Sequence, residues 1–238
     1  MKKAYAWAPL LALGIIVAGC GGTDTTGLGG NKNPRIRAVA DYQDVTATSA
    51  DVAGTDLLTS QAFGSVSGYS IVNNGNRTIT FNNVSGASSI PLANETDLLE
   101  ENMFYTAIGT GSGPTGRQII LLTDGQDVVT NETKVRIVNA DEDQAGIDVY
   151  FTSTATGSLT GQTPQIVNLA YADDAPAYLQ LTPGSYKIWI TPTGTTTVLK
   201  TQTVTLDPST VITDVFAKTS SGTTIQTLHD RPLPSGTP

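Results

Sequence analysis

The sequence predicts an all-β protein made of two tandem β-sandwich domains, of immunoglobulin-like or transthyretin-like type, and three observations predict it. Charged residues make up only 14% of the 238-residue chain, and Thr, Ser, Asn and Gly fill the polar positions. Thr suits exposed strand faces, and Gly and Asn suit tight turns. Apolar and polar residues alternate: Tyr186, Ile188 and Ile190 share one face and Lys187, Trp189 and Thr191 the other, the period-two pattern of a half-buried strand. Finally, the chain repeats itself in order at an offset of about 100 residues, which sets the domain count at two.

Residues 1–20 read as a secretory signal. Lys2 and Lys3 give a positive start, an apolar run follows over 9–17, and Ala18 and Gly19 lead into Cys20. The run is shorter than the ~20 apolar residues that cross a bilayer. Small-small-Cys at this distance from the start resembles a bacterial lipobox, whose thiol is acylated and becomes the new N-terminus. Cys20 is therefore the expected lipidation site, carrying covalent lipid including palmitate, and two or more acyl chains hold stably where one does not. As the only cysteine, it leaves no thiol for disulfides or catalysis. Localisation follows as lipid-anchored in the cell envelope. Gly21 after the cysteine favours the outer membrane in a Gram-negative host. Residues 21–34 have almost no apolar content and read as a flexible tether with a reach of about 20 Å.

The first copy is expected over 35–127 and the second over 131–232, joined near 126–133, with a disordered tail at 233–238. The matched elements keep their order. Ile36-Arg37-Ala38-Val39 matches Val135-Arg136-Ile137-Val138, and Tyr69 matches Tyr178. Arg77, Ile79 and Phe81 match Tyr186, Ile188 and Ile190, while Tyr105-Thr106 matches Ile212-Thr213. Leu122-Thr123-Asp124 matches Leu228-His229-Asp230. In the second copy, strands are expected at 135–139, 147–152, 177–181, 186–191, 198–206, 211–218 and 224–228. Pro183-Gly184 and Pro192-Thr193-Gly194 mark turns. Roughly seven short strands at this spacing indicate a sandwich. The first copy is poorer in its second strand, where 44–52 carries Thr and Ala, so the second copy is expected to be the more stable and to fold alone.

Val135-Arg136-Ile137-Val138-Asn139-Ala140, Ile147-Asp148-Val149-Tyr150 and Leu181-Thr182-Pro183-Gly184-Ser185-Tyr186 resemble the bacterial domain of unknown function 4397. The resemblance implies exported or lipid-anchored β-sandwich modules, often in tandem. It covers about 200 residues, more fully in the second copy, and brings no catalytic residue with it.

Candidate chemistry is thin. The formal net charge of −8 becomes −10 once Lys2 and Lys3 leave (−8 − 2), and an acidic surface argues against nucleic acid as a partner. No metal or cofactor is expected and a solvated acidic loop is the default, with Asp141, Asp143 and Asp148 as the candidate Ca²⁺ ligands and Asn139, Glu142, Asp173 and Asp174 as further oxygen donors. Ca²⁺ takes six to eight oxygens, but no Asp-x-Asp-x-Asp-Gly loop is present. The glycines of 111–116 match a dinucleotide fingerprint formally, yet lie between two strand-like segments instead of opening a helix. His229 is the only histidine, and no Gly-x-Ser-x-Gly elbow accompanies it. Its neighbour Asp230, repeated at Asp124, reads as a strand or turn cap. Glu100-Glu101 reads as a polar turn. Tyr42, Tyr69, Tyr171 and Tyr178 are candidates for a glycan platform, although Tyr69 and Tyr178 share one repeat position and are expected to pack in the cores. Trp189 is the candidate binding residue; it lies on the face opposite Tyr186, Ile188 and Ile190 and is expected to be partly buried. The expected function is non-enzymatic: a lipid-anchored envelope protein presenting two sandwich modules for adhesion, scaffolding or envelope interaction with a protein or glycan partner. The alternative is a calcium- or glycan-binding module using loops of the second copy.

Overall fold

The structure is a computed structural model that describes residues 32–86 and 88–230. The stretch read as a signal peptide, Cys20, most of the expected tether and the expected 233–238 tail lie outside the described residues. The chain is all-β, and each copy is a sandwich of two sheets.

In the first copy, β1 (Arg35–Asp41), β4 (Ser65–Val66), β5 (Ser70–Ile71), β8 (Phe104–Thr110) and β9 (Gln118–Thr123) form one sheet. The other contains β2 (Thr48–Val52), β3 (Thr55–Gln61), β6 (Gly75–Ser85) and β7 (Ser88–Leu99), in the order β3-β2-β6-β7. The second copy repeats this plan. One sheet runs β13-β10-β16-β17, from β10 (Thr133–Ala140), β13 (Leu179–Leu181), β16 (Thr210–Thr219) and β17 (Gly222–His229). The other runs β12-β11-β14-β15, from β11 (Gly146–Ser153), β12 (Ile166–Ala170), β14 (Gly184–Pro192) and β15 (Lys200–Leu206). Each copy has one parallel pair, β1 with β8 and β10 with β16, and every other pairing of named strands is antiparallel. The glycine-rich loop at 111–116 holds a single helical turn, α1 (Gly113–Gly116), between two antiparallel strands.

Three apolar cores alternate with the four sheets. Ile36, Ala38, Phe81 and Ala107 fill the first sandwich, and Val135, Ile137, Val149, Ile190 and Phe216 fill the second. A third core joins the copies. Val39, Ile108, Ile120 and Leu122 of the first copy meet Val138, Ala140, Val215, Ala217 and Leu228 of the second. The inner sheets are thus covered on both faces. Accordingly β8 is buried at every position, and β1 at every position after Arg35. Strands buried on both faces read as near-continuous apolar runs, which is why these do not alternate cleanly. Residues 32–230 belong to one compact unit. The sequence expectation of a second copy standing alone has to contend with this shared core.

Candidate functional site

Alternation along the inner strands sorts their side chains into two sets. Ile36, Ala38 and Ala40 of β1 point into the first sandwich, so Arg37, Val39 and Asp41 point toward the second copy. By the same alternation Arg136, Val138 and Ala140 of β10 point toward the first. The two arginines therefore enter the seam from opposite sides, each from the middle of a buried strand.

Each finds the aspartate that closes the other copy. Arg37 Nη2 lies 2.5 Å from Asp230 Oδ1, and Arg136 Nη2 lies 2.6 Å from Asp124 Oδ1. The separation to the aspartate of the same copy is longer, 3.9 Å for Arg37–Asp124 and 3.7 Å for Arg136–Asp230. The remaining bonds also come in matched pairs. Asp124 Oδ2 accepts from the hydroxyls of Tyr69 (2.7 Å) and Thr106 (2.6 Å), and Asp230 Oδ2 from those of Tyr178 (2.6 Å) and Thr213 (2.7 Å). Arg37 Nε donates to Thr106 Oγ1 and Arg136 Nε to Thr213 Oγ1. Each guanidinium lies over a tyrosine ring, Arg37 on Tyr69 at 4.8 Å and Arg136 on Tyr178 at 4.7 Å. The result is a two-fold-symmetric ring of two cations and two anions, the four charged side chains at most 5% exposed.

Burial and the Asp124 charge raise the Asp230 carboxyl above its usual range, against the pull of Arg136. The Tyr69 and Tyr178 phenols are raised too, by burial first and then by the aspartates they face, so both stay protonated donors. Arg37 Nη1 donates to the His229 carbonyl and Arg136 Nη1 to the Thr123 carbonyl. This position thus needs a backbone oxygen, not a side chain, which explains why the repeat tolerates His in one copy and Thr in the other.

The sequence candidates distribute differently. Asp141, Asp143 and Asp148 are not brought together, and no group of three or more His, Cys, Asp or Glu residues suited to a metal occurs among the described residues. Asp141 Oδ1 accepts the Asp143 amide, Asp143 pairs with Lys218 at 2.5 Å, and Asp148 accepts the amides of Asn168 and Gly194. Asp148 alternates with the core residues Ile147 and Val149, so it faces outward on β11. Asp141 and Asp148 thus hold backbone amides, and Asp143 holds the Lys218 ammonium. Asp173 accepts the Ala175 amide in the same manner.

Trp189 is not an open binding surface. It is 6% exposed, packs with Tyr150 and Leu159, and donates its indole N–H to Thr152 at 2.8 Å. Leu159 belongs to the loop between β11 and β12, which covers this patch of the outer sheet. The tyrosines form no common platform either: Tyr42 is in the first core, whereas Tyr69 and Tyr178 lie in the seam and not in the sandwich cores. Glu100 and Glu101 lie in the turn between β7 and β8. The 111–116 loop is held by carboxylates: Ser112 and Gly113 amides donate to Glu142 and Asp44, at 2.8 and 2.9 Å.

Two buried carboxylates escaped the sequence reading. Asp41 faces the seam with neither oxygen hydrogen-bonded, and burial pushes it up to about 7. Asp214 lies on the core side of β16, bonded through Oδ1 to the Thr227 hydroxyl, and burial raises it to about 6. Neither follows a sequence motif; the only signal is a lone acid inside an apolar run.

The family described as Domain of unknown function (DUF4397) matches residues 35–150 and again 133–237. The chain belongs to this family, in two tandem copies. No curated protein matches the chain at a significant level. Among solved structures, a Bacteroides fragilis protein described as a "putative cell adhesion protein" is similar over 86% of this chain and all of that one, at 9% identity and a TM-score of 0.24. No helix among the described residues is long and apolar enough to cross a membrane.

Proposed function

We propose that this chain is a lipid-anchored, non-enzymatic envelope protein that presents its two DUF4397 sandwiches as one rigid body for adhesion, scaffolding or envelope interaction. The observation that carries the rigid-body reading is the seam. The polar residues that the copies share form one ring: Arg37 and Arg136 cross to Asp230 and Asp124, the Tyr69 hydroxyl reaches the Asp230 carbonyl, and the Tyr178 hydroxyl accepts the Gly125 amide. Thr106 and Thr213 brace the arginine and the aspartate of their own copy. A residue set kept in both halves and engaged inside the molecule serves architecture, and the outer sheets are left to meet a partner. Anchoring is supported by the lipobox-like Ala18-Gly19-Cys20.

Two measurements test the reading. Cys20→Ala is expected to abolish palmitate incorporation and partitioning into the detergent phase; labelling that survives the change overturns the anchor. Crosslinking in the native envelope followed by affinity capture is expected to recover a stable envelope component with the wild-type chain and to lose it with Cys20→Ala. Recovery of the same component from both overturns presentation through the anchor.

A further inference from the structure

The seam between the copies has the chemistry of a symmetric dimer interface drawn inside one chain. Each half offers one arginine, one aspartate, one tyrosine, one threonine and one backbone carbonyl, in the same register, around an apolar patch. Such an isologous surface complements any surface of its own kind. Any other partner on a half buries its one cation and one anion without the counterparts they have here, and a partner unable to pair them is strongly disfavoured. Separation of the halves is more tolerable than for an all-apolar face, because each half carries one cation and one anion that water rehydrates.

We propose that the partner this surface fits is a second copy of this chain, the two molecules exchanging sandwiches across the seam to form a closed two-fold dimer. In that dimer the first copy of one chain meets the second copy of the other, and Arg37–Asp230 and Arg136–Asp124 form between chains. Every seam contact of the monomer is kept; only the connection changes. Asp124, Gly125 and Gln126 bond the second copy and belong to the seam, so that connection is residues 127–132, with a contour of about 20 Å. Asp127, Val128 and Thr130 within it are exposed, as a hinge requires. A short connection gives the intramolecular seam an effective concentration of roughly millimolar, so exchange competes when chains refold near that concentration. The inference is independent of the lipid anchor.

The test uses the full chain in detergent, isotopically heavy and light, mixed in denaturant, refolded near millimolar concentration and weighed by native mass spectrometry. The wild type is expected to yield heavy–heavy, heavy–light and light–light dimers in a 1:2:1 ratio. A second pair of chains identifies the surface. One carries Arg37→Met with Asp124→Leu, the other Arg136→Met with Asp230→Leu. Alone, a first-to-second exchange places an apolar half against a charged half in either variant; pairing of like halves would instead favour the self-dimers, and an excess of self-dimers overturns the exchange. Exchanged, they form one native seam and one wholly apolar seam, so the mixed dimer is expected to exceed the two self-dimers by at least several-fold. A wild-type chain that remains monomeric under these conditions overturns the proposal. So does a wild-type dimer whose variant pair mixes only statistically, because that dimer uses another surface.

Discussion

Replacing Arg37 by Met tests the seam with a reporter in the opposite copy. Arg37 belongs to the first copy, whereas Trp189 lies in the outer sheet of the second and is the only tryptophan after Trp7. The substitution keeps the length and apolar stem of the side chain and removes the bonds to Asp230 (2.5 Å), the His229 carbonyl (2.8 Å) and Thr106 (2.8 Å). Asp230 keeps its tyrosine and threonine donors and the more distant Arg136 at 3.7 Å, but the ring then carries two anions and one cation. Breaking a buried pair by deleting one partner costs about 3–5 kcal/mol. That is a large part of the ~5–15 kcal/mol by which domains are stable. With a urea m-value of about 3 kcal/mol/M, the midpoint followed by Trp189 emission falls by about 1 to 2 M. Adding Asp230→Leu restores neutrality to the ring, since Arg136 and Asp124 remain. The double variant is expected to lose at least about 1 kcal/mol less than the two single losses summed, the non-additivity of residues in contact. A midpoint shift below about 0.3 M for Arg37→Met, or strict additivity in the cycle, refutes the seam as a shared stabilising element.

The two isolated buried carboxylates make stability fall as pH rises. Their folded values, about 7 for Asp41 and about 6 for Asp214, lie above the ordinary 3.8, so the folded state holds protons that the unfolded chain has released. The stabilisation is complete below about pH 4 and is lost as pH climbs through 6 and 7. For Asp41 the upper bound is about 4 kcal/mol between the two limits. Urea midpoints at pH 5 and pH 8.5 should show the loss, and Asp41→Asn should remove most of it; an Asp41→Asn chain with an unchanged pH slope contradicts the assignment. At the outer sheet of the second copy, Leu159→Ala should uncover the indole, red-shift Trp189 emission and raise acrylamide quenching, while stability drops by about 2 kcal/mol. Unaltered emission means that the β11–β12 loop does not cover the tryptophan.

Much of the seam was present in the sequence as a list of equivalences. Arg37 with Arg136, Tyr69 with Tyr178, Thr106 with Thr213 and Asp124 with Asp230 are repeat-matched pairs, and all eight residues meet in one ring. Repeat matching identifies equivalent positions, however, and says nothing of which copy's partner a side chain reaches. A stronger signal was available. An arginine inside Ile36-Arg37-Ala38-Val39, repeated in Val135-Arg136-Ile137-Val138, sits in a run too apolar for a solvated face. A guanidinium buried there demands a carboxylate, and Asp124 and Asp230 are the acids matched by the repeat. The second copy's expected strands fall on observed ones within a few residues, but β12 (Ile166–Ala170) was missed. It is short, starts after a polar loop and contains Asn168 at a φ of +52°, so neither length nor alternation announced it. Closeness in sequence did not determine where Asp141, Asp143 and Asp148 go: the first two lie in the connection from β10 to β11 and the third on the outward face of β11.

The inner and outer sheets obey different constraints, and that difference locates where function must be sought. An inner sheet has to satisfy a sandwich core on one face and a self-complementary partner on the other. A change at Arg37 in one copy is therefore felt at Asp230 in the other, and the halves keep the same residues there. The outer sheets carry no such obligation and have diverged. In the first copy, β7 (Ser88–Leu99) is a twelve-residue edge strand with Ile90 and Leu98 more than half exposed, and it pairs with β6 alone. Pro91, Glu95 and Asp97 lie along it, residue types that blunt an edge against indiscriminate pairing. In the second copy, the outer face instead folds a loop over Tyr150 and Trp189, and the exposed apolar residue moves to Val167 on the other edge, β12. Two copies with the same inner chemistry thus present two unlike surfaces, held by the seam in one fixed arrangement. A partner that reads both surfaces at once depends on that arrangement as well as on either surface alone.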